Sequence, residues 1–278
     1  MGHAQIAAFA RLANGGSKAV RAIAGQKTLF SRTIHDMAYD SARDEILVPS
    51  HYLMGIVTFR GDATGDTAPV RKIYGPKTQM LLPDAVAIDP VHGEIFVPNR
   101  NRVLVFPRDA DGDVAPIRIL EGPDTGLGAG RITIDPVHDL MIVASATYGA
   151  VQGRDGIRIF ERTASGNTKP LRFIKGFGAK DVWLLTVNPA NGMIFGVSRP
   201  DTPAAEADIS GRYRPDDFVG VWSINDDGDV QPRWTIGGPN LYLKDARGIA
   251  IDVKNKNVMV SDKTLNAVLT FNVPEAFQ

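Results

Sequence analysis

The sequence predicts an all-β protein: a β-propeller of four-stranded antiparallel blades. Three observations lead there. An aromatic residue followed by glycines six and sixteen positions later recurs five times: Phe9, Gly15, Gly25; Phe59, Gly65, Gly75; Phe106, Gly112, Gly122; Phe160, Gly166, Gly176; and Trp222, Gly228, Gly238. Between these markers lie short runs rich in β-branched and aromatic residues, bounded by Gly, Pro, Asp and Asn, as strands and their turns are. No apolar pattern of helical period and ordinary helix length appears. A repeat of this size holding four short strands is the pattern of a propeller blade, which buries its faces against neighbouring blades.

The repeat at residues 80–126 shows the elements in order. Its first strand is "DAVAID", followed by the turn "PVHG" and the second strand "EIFVPN". The third strand is "VLVFPR", the next turn "DADGD", and the fourth strand "APIRILEG". First strands recur as "HDMAYD", "RITID", "LLTVN" and "GIAID", and second strands as "EILVPS", "LMIVAS", "MIFGVS" and "NVMVSD". The blade units are then approximately 28–79, 80–126, 127–180, 181–242 and 243–278 in a single domain of residues 1–278. The chain opens on a third and fourth strand and finishes on a first, second and third. Five blades are therefore expected, with residues 1–27 closing the last one through the N-terminal "KAVRAIAG", which would protect an exposed sheet edge. The alternative is six blades with the first truncated.

The "DADGD" segment looks at first like a cation loop, because Asp109, Asp111 and Asp113 alternate as calcium ligands do. In its equivalents "DATGD", "TASGN", "NDDGD" and "LANGG" the glycine stays while the acidic positions come and go. The twelfth position of a calcium loop would be Leu120 instead of a bidentate Glu. A glycine kept beside Asn or Asp is what a tight hairpin needs, because glycine reaches positive φ without steric cost. His92 and His138 occupy the same place in two bottom turns and are read as structural. Arg21, Arg71, Arg118 and Arg172 recur on the outer strand, where charge discourages strand addition.

Bulk composition narrows the partners. Lys plus Arg balances Asp plus Glu at 31 each, so no surplus of positive charge draws nucleic acid. No apolar run is long enough for an integral membrane segment. The opening residues do not form a secretory signal, and an extracytoplasmic location stays open for a chain trimmed at its N-terminus. The absence of cysteine rules out disulfides, a thiol nucleophile and Cys-ligated zinc. A monomer is expected.

The segments "DPVHGEIFV", "VLVFPRDADGD" and "PIRILEGPDT" together resemble bacterial NHL-like β-propeller repeat proteins, over nearly the whole chain. The resemblance implies the fold. For function it points several ways, since propellers of this kind include protein-binding modules, gluconolactonase-type enzymes with a divalent metal on the axis, and lyases. No catalytic motif of either enzyme type aligns here.

Sequence variation concentrates in the loops joining second to third and fourth to first strands, which a propeller gathers on its top face. Two of them, "SATYGAVQGRDG" and "SRPDTPAAEADISGRYRPDDF", are long. The second, longer than about 15 residues, is either a lid or disordered. Around the top of the axis the repeat alignment places His35, Asp84, Gly130, Trp183 and Arg247 at one level, and Asp36, Ala85, Arg131, Leu184 and Gly248 at the next. His51, Asn99, Arg100, Tyr148, Asp155, Trp183, Arg199 and Asp262 are candidate ligand-binding residues on the same face. The favoured function is a scaffold binding a protein, peptide or small-molecule ligand through its top face and axial funnel. The alternative is a lactonase-like hydrolase or a lyase, metal-assisted or His/Asp-based. His35 would then be the base, Asp36 and Asp84 its orienters or metal ligands, and Arg131 and Arg247 the anion-stabilising pair. No motif implies a cofactor, and a divalent cation on the axis remains open.

Overall fold

The computed structural model describes residues 4–31, 34–128, 130–145, 155–199, 217–238, 241 and 243–278. They form twenty-one β-strands and five short 3-10 turns, with no α-helix among the described residues. The chain divides into two compact units, Met1–Asn99 with Val103–Ile119, and Arg100–Arg102 with Leu120–Gln278.

The first unit opens with a hairpin of β1 (Gln5–Ala8) and β2 (Arg21–Ala24). A complete blade follows, β3 (Ala38–Asp40), β4 (Glu45–Ser50), β5 (Gly55–Arg60) and β6 (Arg71–Tyr74), adjacent in chain order. The next blade is β7 (Ala87–Asp89), β8 (Glu94–Asn99), β9 (Arg102–Pro107) and β10 (Arg118–Glu121), and the boundary between the units crosses its two outer strands.

The second unit holds the blade β11 (Gly130–Asp135), β12 (Leu140–Ser145), β13 (Gly156–Glu161) and β14 (Arg172–Ile174). It also holds β15 (Val182–Asn188), β16 (Met193–Ser198), β17 (Phe218–Ser223) and β18 (Trp234–Ile236), and a last sheet of three strands, β19 (Ala246–Asp252), β20 (Asn257–Asp262) and β21 (Ala267–Asn272). Five first strands and four complete antiparallel blades make this a five-bladed β-propeller fold.

The middle strands of the complete blades read as continuous apolar runs instead of alternating, because both faces of a blade are covered. All six residues of β12 and of β17 are buried, and Phe59, Phe106, Phe160 and Trp222 each sit at 0% exposure.

Junctions between blades within a unit follow one scheme. The hairpin glycine of each blade bridges the outer strand before it: Ile23 to Gly65, Ile73 to Gly112, Leu120 to Gly166, and Ile174 to Gly228. At three of these four junctions the residue after that glycine accepts a backbone N–H from the preceding repeat. Asp66 takes the N–H of Lys27 at 2.7 Å, Asp113 that of Lys77 at 2.7 Å, and Asn167 that of Asp124 at 2.8 Å. Asp111 likewise accepts the N–H of Lys72, and Asp109 pairs with Arg43. The acids of "DADGD" therefore tie blades together. His92 and His138 each bond through Nδ1 to a fully buried turn carboxylate, Asp89 and Asp135, at 2.7 and 2.8 Å.

Two expectations about the outer strand are corrected. Arg21–Ala24 pairs with Gln5–Ala8 (Ile23 opposite Ile6) and not with the last sheet, so the N-terminal strand does not close that blade here. Local pairing wins because β1 has the same spacing to β2 as every other third strand has to its fourth. Arg71 and Arg118 do not simply face solvent: each makes a two-point pair with the carboxylate that opens its own second strand, Glu45 and Glu94.

Candidate functional site

The end of the blades where second strands finish and first strands begin carries two polar clusters, one in each unit. In the first unit, His35 precedes β3, His51 follows β4 and Asp84 precedes β7. A single oxygen of Asp84 lies 3.0 Å from His35 Nδ1 and 2.8 Å from His51 Nδ1. With Asp84 ionised, both Nδ1 atoms carry the proton, which leaves the lone pair of each neutral ring at Nε2. The rings stand 6.4 Å apart at 60°, and Tyr52 packs edge-on against His51 at 5.3 Å. All three polar side chains are part exposed, at 39% for His35, 27% for His51 and 36% for Asp84. Asp36 is used differently. It accepts the backbone N–H groups of Met37 and, at 3.4 Å, Val86, and so links the entries of two first strands.

In the second unit the centre is Trp183. The guanidinium carbons of Arg131, Arg199 and Arg247 lie 4.7, 5.5 and 5.7 Å from its ring centroid, all within cation–π range. Two of these residues owe their direction to a register shift. Pairing of β15 with β16 skips Trp183, between Val182 and Leu184, and pairing of β19 with β20 skips Arg247, between Ala246 and Gly248. An extra residue of this kind bends a strand and re-aims its side chain. The repeat puts the two at equivalent positions, so one backbone device presents both.

Two carboxylates hold Arg199 and Arg247. Asp245, fully buried, accepts from Arg199 Nη2 at 2.7 Å and lies 3.0 Å from Arg247 Nε; Asp217 lies 3.5 Å from Arg199 Nε. Arg199 is enclosed, with a side chain 5% exposed, whereas Arg247 keeps 31% of its side chain open. The indole of Trp183 is also partly open. Arg199 is thus shielded from solvent, and Trp183 with Arg247 is the open part of the cluster.

The other candidates fall elsewhere. Asn99 and Asp262 end their second strands and are 1% and 2% exposed. Asn99 exchanges bonds with the backbone of Leu81, and Asp262 accepts the N–H groups of Lys244, Asp245 and Leu265. Ser50 and Ser198 occupy the same place and donate to the carbonyls of Leu29 and Gly178. This is a repeated clamp on the loop entering each first strand. Arg100 is exposed in the turn between β8 and β9, at φ 60°. Asp155 is part buried, immediately before β13. Tyr148 and most of the two long loops lie outside the described residues. Among the described residues no group of three or more His, Cys, Asp or Glu is arranged to hold a metal ion, and no helix is long and apolar enough to cross a membrane. Sequence reasoning missed Asp217 and Asp245; a charged residue two before the Arg247 position was the available signal for Asp245.

No protein-family model matches the chain, and no curated protein is similar to it in sequence. Similarity to solved structures is extensive in shape and low in sequence. Hydrazine synthase of Kuenenia stuttgartiensis superposes with a TM-score of 0.56 at 13% identity, over 82% of this chain and 55% of that one. This chain thus spans little more than half of that protein's length. The WD40 β-propeller domain of Doa1 superposes with a TM-score of 0.52 at 12% identity, over 91% of this chain and 72% of the domain. Such likeness establishes the β-propeller fold and nothing finer.

Proposed function

We propose that this chain is a ligand-binding propeller, and that Trp183 and Arg247 form its platform for a small organic anion with a flat or apolar body. The observation that carries this reading is the convergence of three guanidinium groups on one part-open indole, two of the four residues being delivered by matched register shifts. Arg247 is engaged through Nε, which leaves its terminal nitrogens as a fork suited to a carboxylate or phosphate. The indole supplies a stacking face for the remainder of the ligand. Thermal-shift screening against organic carboxylates and phosphates tests it. A hit should stabilise the protein, and Arg247→Ala should weaken that hit about tenfold or more, since one charge-assisted hydrogen bond contributes about 1.5–3 kcal/mol. A hit that Arg247→Ala leaves unchanged would contradict the assignment.

One observation favours a second reading, a His/Asp-based hydrolase. The carboxylate shared by His35 and His51 orients two imidazoles whose Nε2 atoms suit proton abstraction from water. His35→Ala should then abolish hydrolysis of lactone or ester substrates; hydrolysis unaffected by it would remove the reading.

A further inference from the structure

Two positions of the repeat carry phenylalanine once each, and the two rings meet. The residue after the second marker glycine is Gln26, Pro76, Pro123 or Pro239 in four repeats and Phe177 in the remaining one. The residue four before the marker aromatic is Gln5, Gly55, Arg102, Gly156 or Ala267 elsewhere and Phe218 here. The rings of Phe177 and Phe218 lie 5.5 Å apart and 12° from parallel. Phe218 is the buried base of the stack at 8% exposure, whereas Phe177 is 53% exposed. Gln26, Pro76 and Pro123 are exposed as well, so this position does not call for a ring to fill a core.

The surrounding backbone makes room for the pair. Gly178 sits at φ 76°, and a Cβ there would lie 2.6 Å from the Phe218 ring. A Cβ on Gly237 would lie 2.5 Å from Cβ of Phe218. Ser198 Oγ donates to the Gly178 carbonyl at 2.9 Å and so holds the segment that carries Phe177.

The stack lies at the same end of the same blade as Trp183, within the second unit. Phe218 pairs across the sheet with Ser198, and Ser198 pairs with Val182, the neighbour of Trp183. Two strand spacings, about 10 Å, separate Phe218 from Val182. One residue further along these strands, Asp217 lies 3.5 Å from Arg199, which itself packs on Trp183. A single row of the sheet thus joins the aromatic pair to the arginine cluster.

We propose that Phe177 is a second subsite beside the platform, taking the terminal aromatic ring of an anion whose charged end sits on Arg247. The assignment rests on Trp183 and Arg247 forming that platform. The ligand class is then an elongated carboxylate or phosphate with an aryl group about 10 Å from its charge. A further ring laid on the exposed side of Phe177 continues the stack. Phe218 beneath fixes the ring before a ligand arrives, which lowers the ordering cost of binding.

Titration calorimetry of the full chain tests this, using straight-chain carboxylates and alkyl phosphates of graded length, each ending in methyl or phenyl. Once the ligand is long enough to reach, the phenyl end should tighten binding about two- to tenfold, the worth of one aromatic pair. Phe177→Ala should abolish that gain and leave the methyl-ended ligands unchanged, which also shows that the variant folds. Arg247→Ala should weaken both series. Binding of both series through Arg247 with no advantage for phenyl, or an advantage that Phe177→Ala leaves intact, overturns the Phe177 subsite and leaves the platform standing. Binding of neither series removes the platform and the subsite together.

Discussion

Replacing Gly75 with Ala probes the blade junction, and the structure fixes the size of the effect. Gly75 sits at φ 123°, ψ 170°, a region essentially reserved for glycine, so a side chain there costs about 1–3 kcal/mol in backbone strain. Its Cβ would also lie 2.6 Å from Cγ of Asp113. That carboxylate cannot retreat without releasing the Lys77 N–H, which adds about 1–2 kcal/mol of overpacking and lost hydrogen bonding. The total is about 2–5 kcal/mol. Gly65→Ala is the control: φ is 67° with nothing within 4 Å, so only the left-handed penalty of about 1–2 kcal/mol applies. Asp113→Ala supplies the cross-check. With the carboxylate gone, Gly75→Ala should cost only its backbone part, so the double variant should be less destabilised than the sum of the singles. Urea unfolding should be followed by far-ultraviolet circular dichroism, because Trp183, Trp222 and Trp234 all belong to the second unit and do not report on Gly75. Additive effects, or a Gly65→Ala penalty as large as that of Gly75→Ala, would refute the junction argument.

Two further outcomes are expected. Phe106→Ala removes a fully buried ring from the second blade and should destabilise the first unit by about 3–5 kcal/mol in the same assay. Arg43 holds the Asp109 carboxyl below its ordinary range by a direct hydrogen bond, so Arg43→Ala should move its titration upward, read by NMR. Because that carboxyl is depressed in the folded state, any stability it lends is present at neutral pH and fades as pH falls through the acid range; the opposite pH trend would contradict the pairing.

The blade pattern was legible because each repeat must satisfy the same local demands. A hairpin needs positive φ, and Gly65, Gly112, Gly166 and Gly228 supply it at a constant offset. The repeat alignment also placed His35 level with Asp84 and Trp183 level with Arg247, and each pair does share a cluster. What it could not decide was competition between equivalent partners. Arg21–Ala24 matches the other outer strands in pattern, and both β1 and β21 match the third strands, so the pattern alone does not choose between them. Nor does spacing distinguish a residue presented outward, such as Arg247, from one spent on a backbone clamp, such as Asn99 or Asp262. All three are polar residues at the same end of their blades.

The binding account stands most directly on Trp183. In a Trp234→Phe background the remaining indoles are Trp183 and the fully buried Trp222, so a fluorescence change on titration reports the platform. Titrating that protein with the organic carboxylate or phosphate that stabilises it most should give a saturable change, lost when Arg247 is replaced by Ala. A signal that never saturates, or one that survives the Arg247→Ala substitution, would contradict the account.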